Sequence, residues 1–162
     1  MPQCEIQLGM MDHQGKRLGG RGLFIAGPLL PVEIGVTPQM ATALTDAGRA
    51  IPKPQLGLIL VDTGATTTSI DNSVVAALSL PPTGTTMLRH ASGSQNTALH
   101  AVQMMFPVLA GFSVVLPQAI NCNLGGMVFN QQPVIALFGR DLLGKIVMIY
   151  NGPQDRVSLI PI

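Results

Sequence analysis

Leu58-Ile59-Leu60-Val61-Asp62-Thr63-Gly64-Ala65 is the stretch on which the reading of this chain turns. The apolar run does not alternate with polar residues, which suits a short strand buried on both faces. The run ends on a carboxylate, and Gly64 marks a sharp turn two residues later. A carboxylate at the end of a buried strand is costly unless it is hydrogen-bonded or shares a proton with another acid. The plain alternative is a polar residue that ends a strand in a structural turn.

Composition narrows what surrounds this stretch. The chain has 162 residues, of which 47% are hydrophobic and only 10% charged, against about 25% charged in an average domain. That length suits one domain with a real core, and no repeat, linker or low-complexity tract divides it, so residues 1–162 are read as a single domain. The net charge is +1, which gives no electrostatic case for nucleic acid or an anionic membrane. Lys16, Arg17 and Arg21 form a small basic group that reads as a solvated turn.

Ala101 to Ile120 is the most apolar candidate for a membrane span, but Gln103, Pro107, Gly111, Pro117 and Gln118 interrupt it. Met1 to Arg17 carries Glu5, Asp12 and His13 and has no apolar segment of the signal-peptide kind. Cys4 and Cys122 make no disulfide framework, so a reducing, cytoplasmic setting is expected. His13, His90 and His100 are isolated, and no Cys/His spacing matches a metal site. No metal and no cofactor is implied. From His90 to Gly139 there is no Asp, Glu, Lys or Arg. One monomer of this size cannot bury all of that segment, so part of its surface is expected to meet a partner subunit, a substrate, or both.

Gly and Pro punctuate the chain at intervals that suit short strands in an all-β fold. Strands are expected over Cys4–Met10, Gly22–Ala26, Leu29–Val36 and Gln55–Val61, with a turn at Asp12–Gly15. Pro28 and Pro31 favour edge positions. Thr37 as N-cap and Pro38 at the first helical position open a helix that Gly48 ends. After Asp62-Thr63-Gly64, Thr67–Ile70 extends again, and Asp71 caps a short helix, Asn72–Leu78. Thr85–Leu88 and Thr97–Met105 read as arms of a hairpin joined by the flexible stretch Arg89–Asn96. Ser113–Leu116, Met127–Phe129 and Pro133–Phe138 are further strands. A helical stub follows Gly139, and Ile146–Tyr150 and Val157–Ile160 flank the turn Asn151-Gly152-Pro153.

Asp62-Thr63-Gly64-Ala65 after an apolar strand resembles the active-site loop of retropepsin-like (retroviral-type) aspartic proteases. Two further landmarks run in that family's order. Ile135-Ala136-Leu137-Phe138-Gly139-Arg140-Asp141-Leu142-Leu143 is similar to the family's second signature, an apolar strand, Gly-Arg-Asn/Asp and a short helix. Between the two lies the Gly93 hairpin, where the family places its flap, so Ser92, Gly93 and Ser94 are the flap candidates. The similar region covers about 29–160, with 1–28 as an N-terminal extension.

The resemblance implies a retropepsin-like closed β-barrel with one to three short helices, acting as a homodimer on a peptide or protein substrate. Two Asp62 carboxylates would face each other and share one proton, one activating water and the other protonating the scissile carbonyl. Thr63 would hydrogen-bond to the opposite loop, and Gly64 would allow close backbone approach. Ala65 offers the carboxylate no side-chain donor, which favours activity near about pH 5 to 7 rather than at strong acidity. Asp46-Ala47-Gly48 is a near miss in a helix, so a second subunit must supply the second acid. Gly139, Arg140 and Asp141 carry a structural role.

One departure is visible. Thr66 and Thr67 stand where retroviral enzymes usually place acids, so Arg140 is expected to lack a carboxylate partner in the loop. A catalytically silent dimerisation or peptide-binding module on the same fold is the competing reading. A β-barrel with an accidental motif is a third.

Overall fold

The computed structural model describes residues 4–7, 22–90 and 93–162. The expected turn at Asp12–Gly15, the basic group Lys16, Arg17 and Arg21, and the flap candidate Ser92 lie outside the described residues. In chain order the elements are β1 (Cys4–Gln7), α1 (Gly22–Ala26), β2 (Leu29–Gly35), α2 (Pro38–Asp46), β3 (Gln55–Val61), β4 (Ser69–Asp71) and α3 (Asn72–Leu78). There follow β5 (Pro82–His90), β6 (Gly93–Phe106), β7 (Phe112–Cys122), β8 (Val128–Phe129), β9 (Gln132–Phe138), α4 (Arg140–Leu143), β10 (Ile146–Asn151) and β11 (Arg156–Pro161).

The fold is all-β, and its centre is a closed barrel. Six strands run in the spatial order β2-β3-β9-β4-β7-β6, and β6 returns to pair with β2 through Glu33↔Met105, Ile34↔Met104 and Gly35↔Gln103. Closure removes the open edges that a sheet of apolar strands would otherwise present. The interior is filled by Ile34, Ile59, Met104, Phe106 and Phe138, all nearly or fully buried. Phe106 meets Phe138 edge-on with ring centroids 5.5 Å apart, a favoured aromatic geometry. β5 extends from the barrel as the partner of β6. A separate three-stranded sheet, β1-β11-β10, packs Val157 and Leu159 into the same core.

Local sequence explains most boundaries. The Thr37 hydroxyl accepts from the Met40 N–H at 3.2 Å, and Pro38 follows as the first helical residue of α2. Gly48 takes the left-handed conformation (φ +65°) just past its end, which favours glycine. Pro31 lies in β2 before the stretch that pairs with β6, so its missing N–H takes nothing from that contact.

Three expectations need correction. Gly22–Ala26 is a helix, not a strand. Leu23 is buried there, and its N–H donates to Asp155 Oδ1 at 2.6 Å, so a tertiary contact overrides local preference. The hairpin arms run almost to the tip, with Arg89↔Ser94 and His90↔Gly93 still in register, so the stretch Arg89–Asn96 is mostly strand. β7 also continues through Pro117 to Cys122. Its register against β6 shifts between His100↔Ala119 and Val102↔Leu116, a bulge that absorbs the proline. The uncharged Ala101–Ile120 segment thus belongs to two barrel strands and their turn. Among the described residues, no helix is long and apolar enough to cross a membrane.

Candidate active site

β3 and β9 are parallel neighbours, and they end together at the pair Val61↔Phe138. The two motifs that follow them therefore leave the barrel side by side. The Asp62 N–H donates to the Phe138 carbonyl at 3.1 Å, and the Ala65 N–H closes a turn onto the Asp62 carbonyl at 3.2 Å. The half-buried Asp62 carboxylate accepts the Gly64 N–H at 2.8 Å through Oδ1. A Cβ at residue 64 would lie 3.1 Å from that oxygen, so glycine here keeps the carboxylate uncrowded. Thr63 and Gly64 are exposed at the loop tip.

The second motif braces this loop from behind. A Cβ on Gly139 would fall 2.5 Å from the Thr67 carbonyl carbon and 2.6 Å from the Thr68 nitrogen. Only glycine permits that approach of backbone to backbone. The Arg140 N–H donates to the Ala65 carbonyl at 2.9 Å, and the Asp141 N–H to that of Thr66 at 3.2 Å. Among the described residues Arg140 has no carboxylate partner in the loop, as expected, yet it does pair within the loop. Its guanidinium donates to the Thr63 carbonyl at 3.3 Å and to the Thr66 hydroxyl at 3.0 Å. The threonine standing at a family acid position thus supplies a neutral acceptor in its place. The Asp141 carboxylate accepts from the Thr68 N–H and hydroxyl. These contacts give Gly139, Arg140 and Asp141 a bracing geometry.

Above the loop lies a cleft of about 710 Å³. Its floor includes Asp62, Gly64, Ala65 and Thr66, and one wall is Thr86–Arg89 of β5 with Gln95 of β6. Ile120 and Cys122 at the end of β7, with Asn123 and Leu124 just beyond it, also line the cleft. The flap candidates Gly93 and Ser94 begin β6 at the hairpin tip, paired with His90 and Arg89. From the uncharged segment His90 to Gly139, Gln95, Ile120, Cys122, Asn123, Leu124 and Leu137 line the cleft.

Asp71 and Cys122 set the electrostatics at the β7 end of the cleft. Asp71 caps α3, accepting from the Ser73 N–H at 2.9 Å, and also accepts from the Leu124 N–H at 2.8 Å. Burial alone would raise its pKa, but the Ser73 hydroxyl and the Leu124 and Ser73 N–H groups together hold it below the ordinary value. Burial, reinforced by the Asp71 carboxylate, pushes the Cys122 thiol up to about 12. Cys122 is thus a neutral thiol in the cleft, donating to the Ile70 carbonyl at 3.4 Å, and unsuited to nucleophilic work. Asp62 is the one carboxylate lining the cleft among the described residues.

Sequence reasoning noted Thr66 only as a departure from the family pattern and did not single out Thr68 or Leu124 for the site. The threonine run after Ala65 was visible, but its hydrogen bonding depends on residues more than seventy positions away.

The family model for aspartyl proteases matches residues 57–142, more than half of the chain. No curated protein matches the sequence. Among solved structures, a retropepsin-like aspartic protease from Rickettsia conorii is similar at 14% identity, over 98% of this chain and 91% of that one, with a TM-score of 0.49. The matched span runs from β3 through the Asp62 loop and the cleft strands to Leu142, and on it this chain belongs to the aspartyl protease family.

Proposed function

We propose that the protein is an aspartic endopeptidase that hydrolyses peptide bonds with water activated by Asp62 from two copies of the chain. The observation that carries this reading is the placement of Asp62. It lines the cleft, in a loop braced by a second motif, together with Thr86–Arg89 of β5 and Gln95 of β6. Aspartic hydrolysis needs a second carboxylate close enough to share a proton. The described lining offers only Asp62, so a second copy supplies the other. The exposed Thr63 and Gly64 at the loop tip are available to meet that copy. One carboxylate then takes a proton from water while its partner gives one to the scissile carbonyl oxygen.

The test is cleavage of a diverse peptide mixture between about pH 4 and 8, mapped by mass spectrometry. Wild type is expected to cleave and Asp62→Asn to be silent while remaining dimeric. Cleavage by both forms, or a wild type that stays monomeric while cleaving, would defeat the shared-carboxylate reading. Binding by both forms without cleavage would favour a silent peptide-binding module.

A further inference from the structure

Among the described residues, the cleft lining carries two charged side chains, and they differ in sign and situation. Asp62 lies on the floor and is engaged by the Gly64 N–H. Arg89 lies on the wall formed by β5, close to the hairpin tip, and is exposed. Its cross-strand neighbour is Ser94, and the next residue, Gln95, is also uncharged. The chain from His90 to Gly139 supplies no acid that could neutralise it. Arg140, by contrast, spends its guanidinium on Thr63 and Thr66. Arg89 is thus a cation aimed at the cleft with no carboxylate partner among the described residues.

The rest of the described lining is uncharged and mixes apolar with neutral polar side chains. Leu88, Ile120, Leu124 and Leu137 line the cleft with Met87. An extended peptide in this cleft passes apolar surface beside Asp62 and a lone guanidinium toward the tip of the hairpin. Guanidinium matches carboxylate in charge and in its forked donor geometry. An acidic side chain elsewhere in the cleft finds no other cation among the described lining residues.

We infer that Arg89 is a specificity-determining residue that selects peptides carrying a Glu or Asp next to an apolar stretch around the scissile bond. The inference rests on the reading of the cleft as a peptide-cleaving site, and it narrows the substrate class of that site. Selection comes from one charge-assisted contact at a partly solvated position, so a preference of about tenfold in kcat/KM over the neutral isostere is expected. That preference shrinks as salt screens the pair.

The experiment uses peptides with a constant apolar centre in which Gln, Glu or Lys is placed at each flanking position in turn. Wild type, Arg89→Gln and Arg89→Glu are assayed for cleavage at low and high salt, and binding is read by fluorescence anisotropy, with Asp62→Asn included. Expected is a Glu-over-Gln preference at one subsite, lost in Arg89→Gln and turned toward Lys in Arg89→Glu. Cleavage by wild type with no acid preference, or with one that survives Arg89→Gln, overturns the inference and leaves the protease reading intact. Arg89-dependent binding of acidic peptides without cleavage supports the inference and overturns the protease reading. Absence of both cleavage and acid-selective binding overturns both.

Discussion

The Asp141 carboxylate clamps Thr68 across 73 residues of chain. The Thr68 N–H donates to both carboxylate oxygens, at 3.0 and 3.1 Å, and its hydroxyl donates to Oδ1 at 2.7 Å. The same hydroxyl accepts the Gly139 N–H at 3.1 Å. Thr68 is fully buried, so no water replaces these bonds from outside. The loop that carries Asp62 is thereby fixed at its far end to the second motif.

Asp141→Ala should therefore destabilise the fold by about 2 to 4 kcal/mol, because it strands a buried N–H and hydroxyl that had a charged acceptor. Urea denaturation measures the loss. A change below about 0.5 kcal/mol, the range of an ordinary surface substitution, would show that the clamp does not hold the loop.

Gly139→Ala should cost about 1 to 3 kcal/mol, since its Cβ would press on rigid backbone at Thr67 and Thr68. The backbone at Gly139 has φ −81°, so the cost is steric and not conformational. Gly84→Ala is the control. Its Cβ would meet only Leu99 at an ordinary 3.6 Å, and its thermal midpoint is expected to move far less. Equal shifts in the two variants would exclude crowding as the cause.

Asp71 ties stability to acidity. Its folded-state pKa lies below the ordinary 3.8, so the unfolded chain binds more protons between the two values. The stabilisation is present above 3.8 and is lost as pH falls through the lowered value. Asp71→Asn should flatten this part of the acid melting profile. Thermal melts of both forms across the acid range decide it, and parallel profiles would contradict the assignment.

Cys122 should resist alkylation in the folded protein. With its thiol pushed up to about 12, almost none is thiolate at neutral pH, whereas an unfolded cysteine titrates near about 8.5. In a Cys4→Ser background, iodoacetamide labelling followed by mass spectrometry is expected to be at least about a hundredfold slower in the native state than in denaturant. Comparable rates would show that the side of the cleft around Cys122 opens readily.

Much of the fold could be read along the chain because its signals are local. Thr37-Pro38 and Asp71 carry their helix starts in their own side chains, and the Asn151-Gly152-Pro153 turn separates strands that pair as expected. The misread elements were those whose state depends on remote partners. Gly22–Ala26 has the composition of a strand, yet Asp155 and the core hold it as helix. Pro117 looks like a strand end until the bulge opposite His100–Val102 is seen.

The sequence by itself determined that Asp62 ends an apolar strand, that Gly64 follows it, and that Gly139-Arg140-Asp141 follows a second such strand. Those features depend on residue type and short spacing. Only the tertiary structure decided that the two strands are parallel neighbours, that Arg140 donates to threonine oxygens, and that Arg89 lines the cleft with no carboxylate partner among the described residues. The reason is physical. Barrel closure brings together groups far apart in the chain, and no local propensity encodes which of them meet.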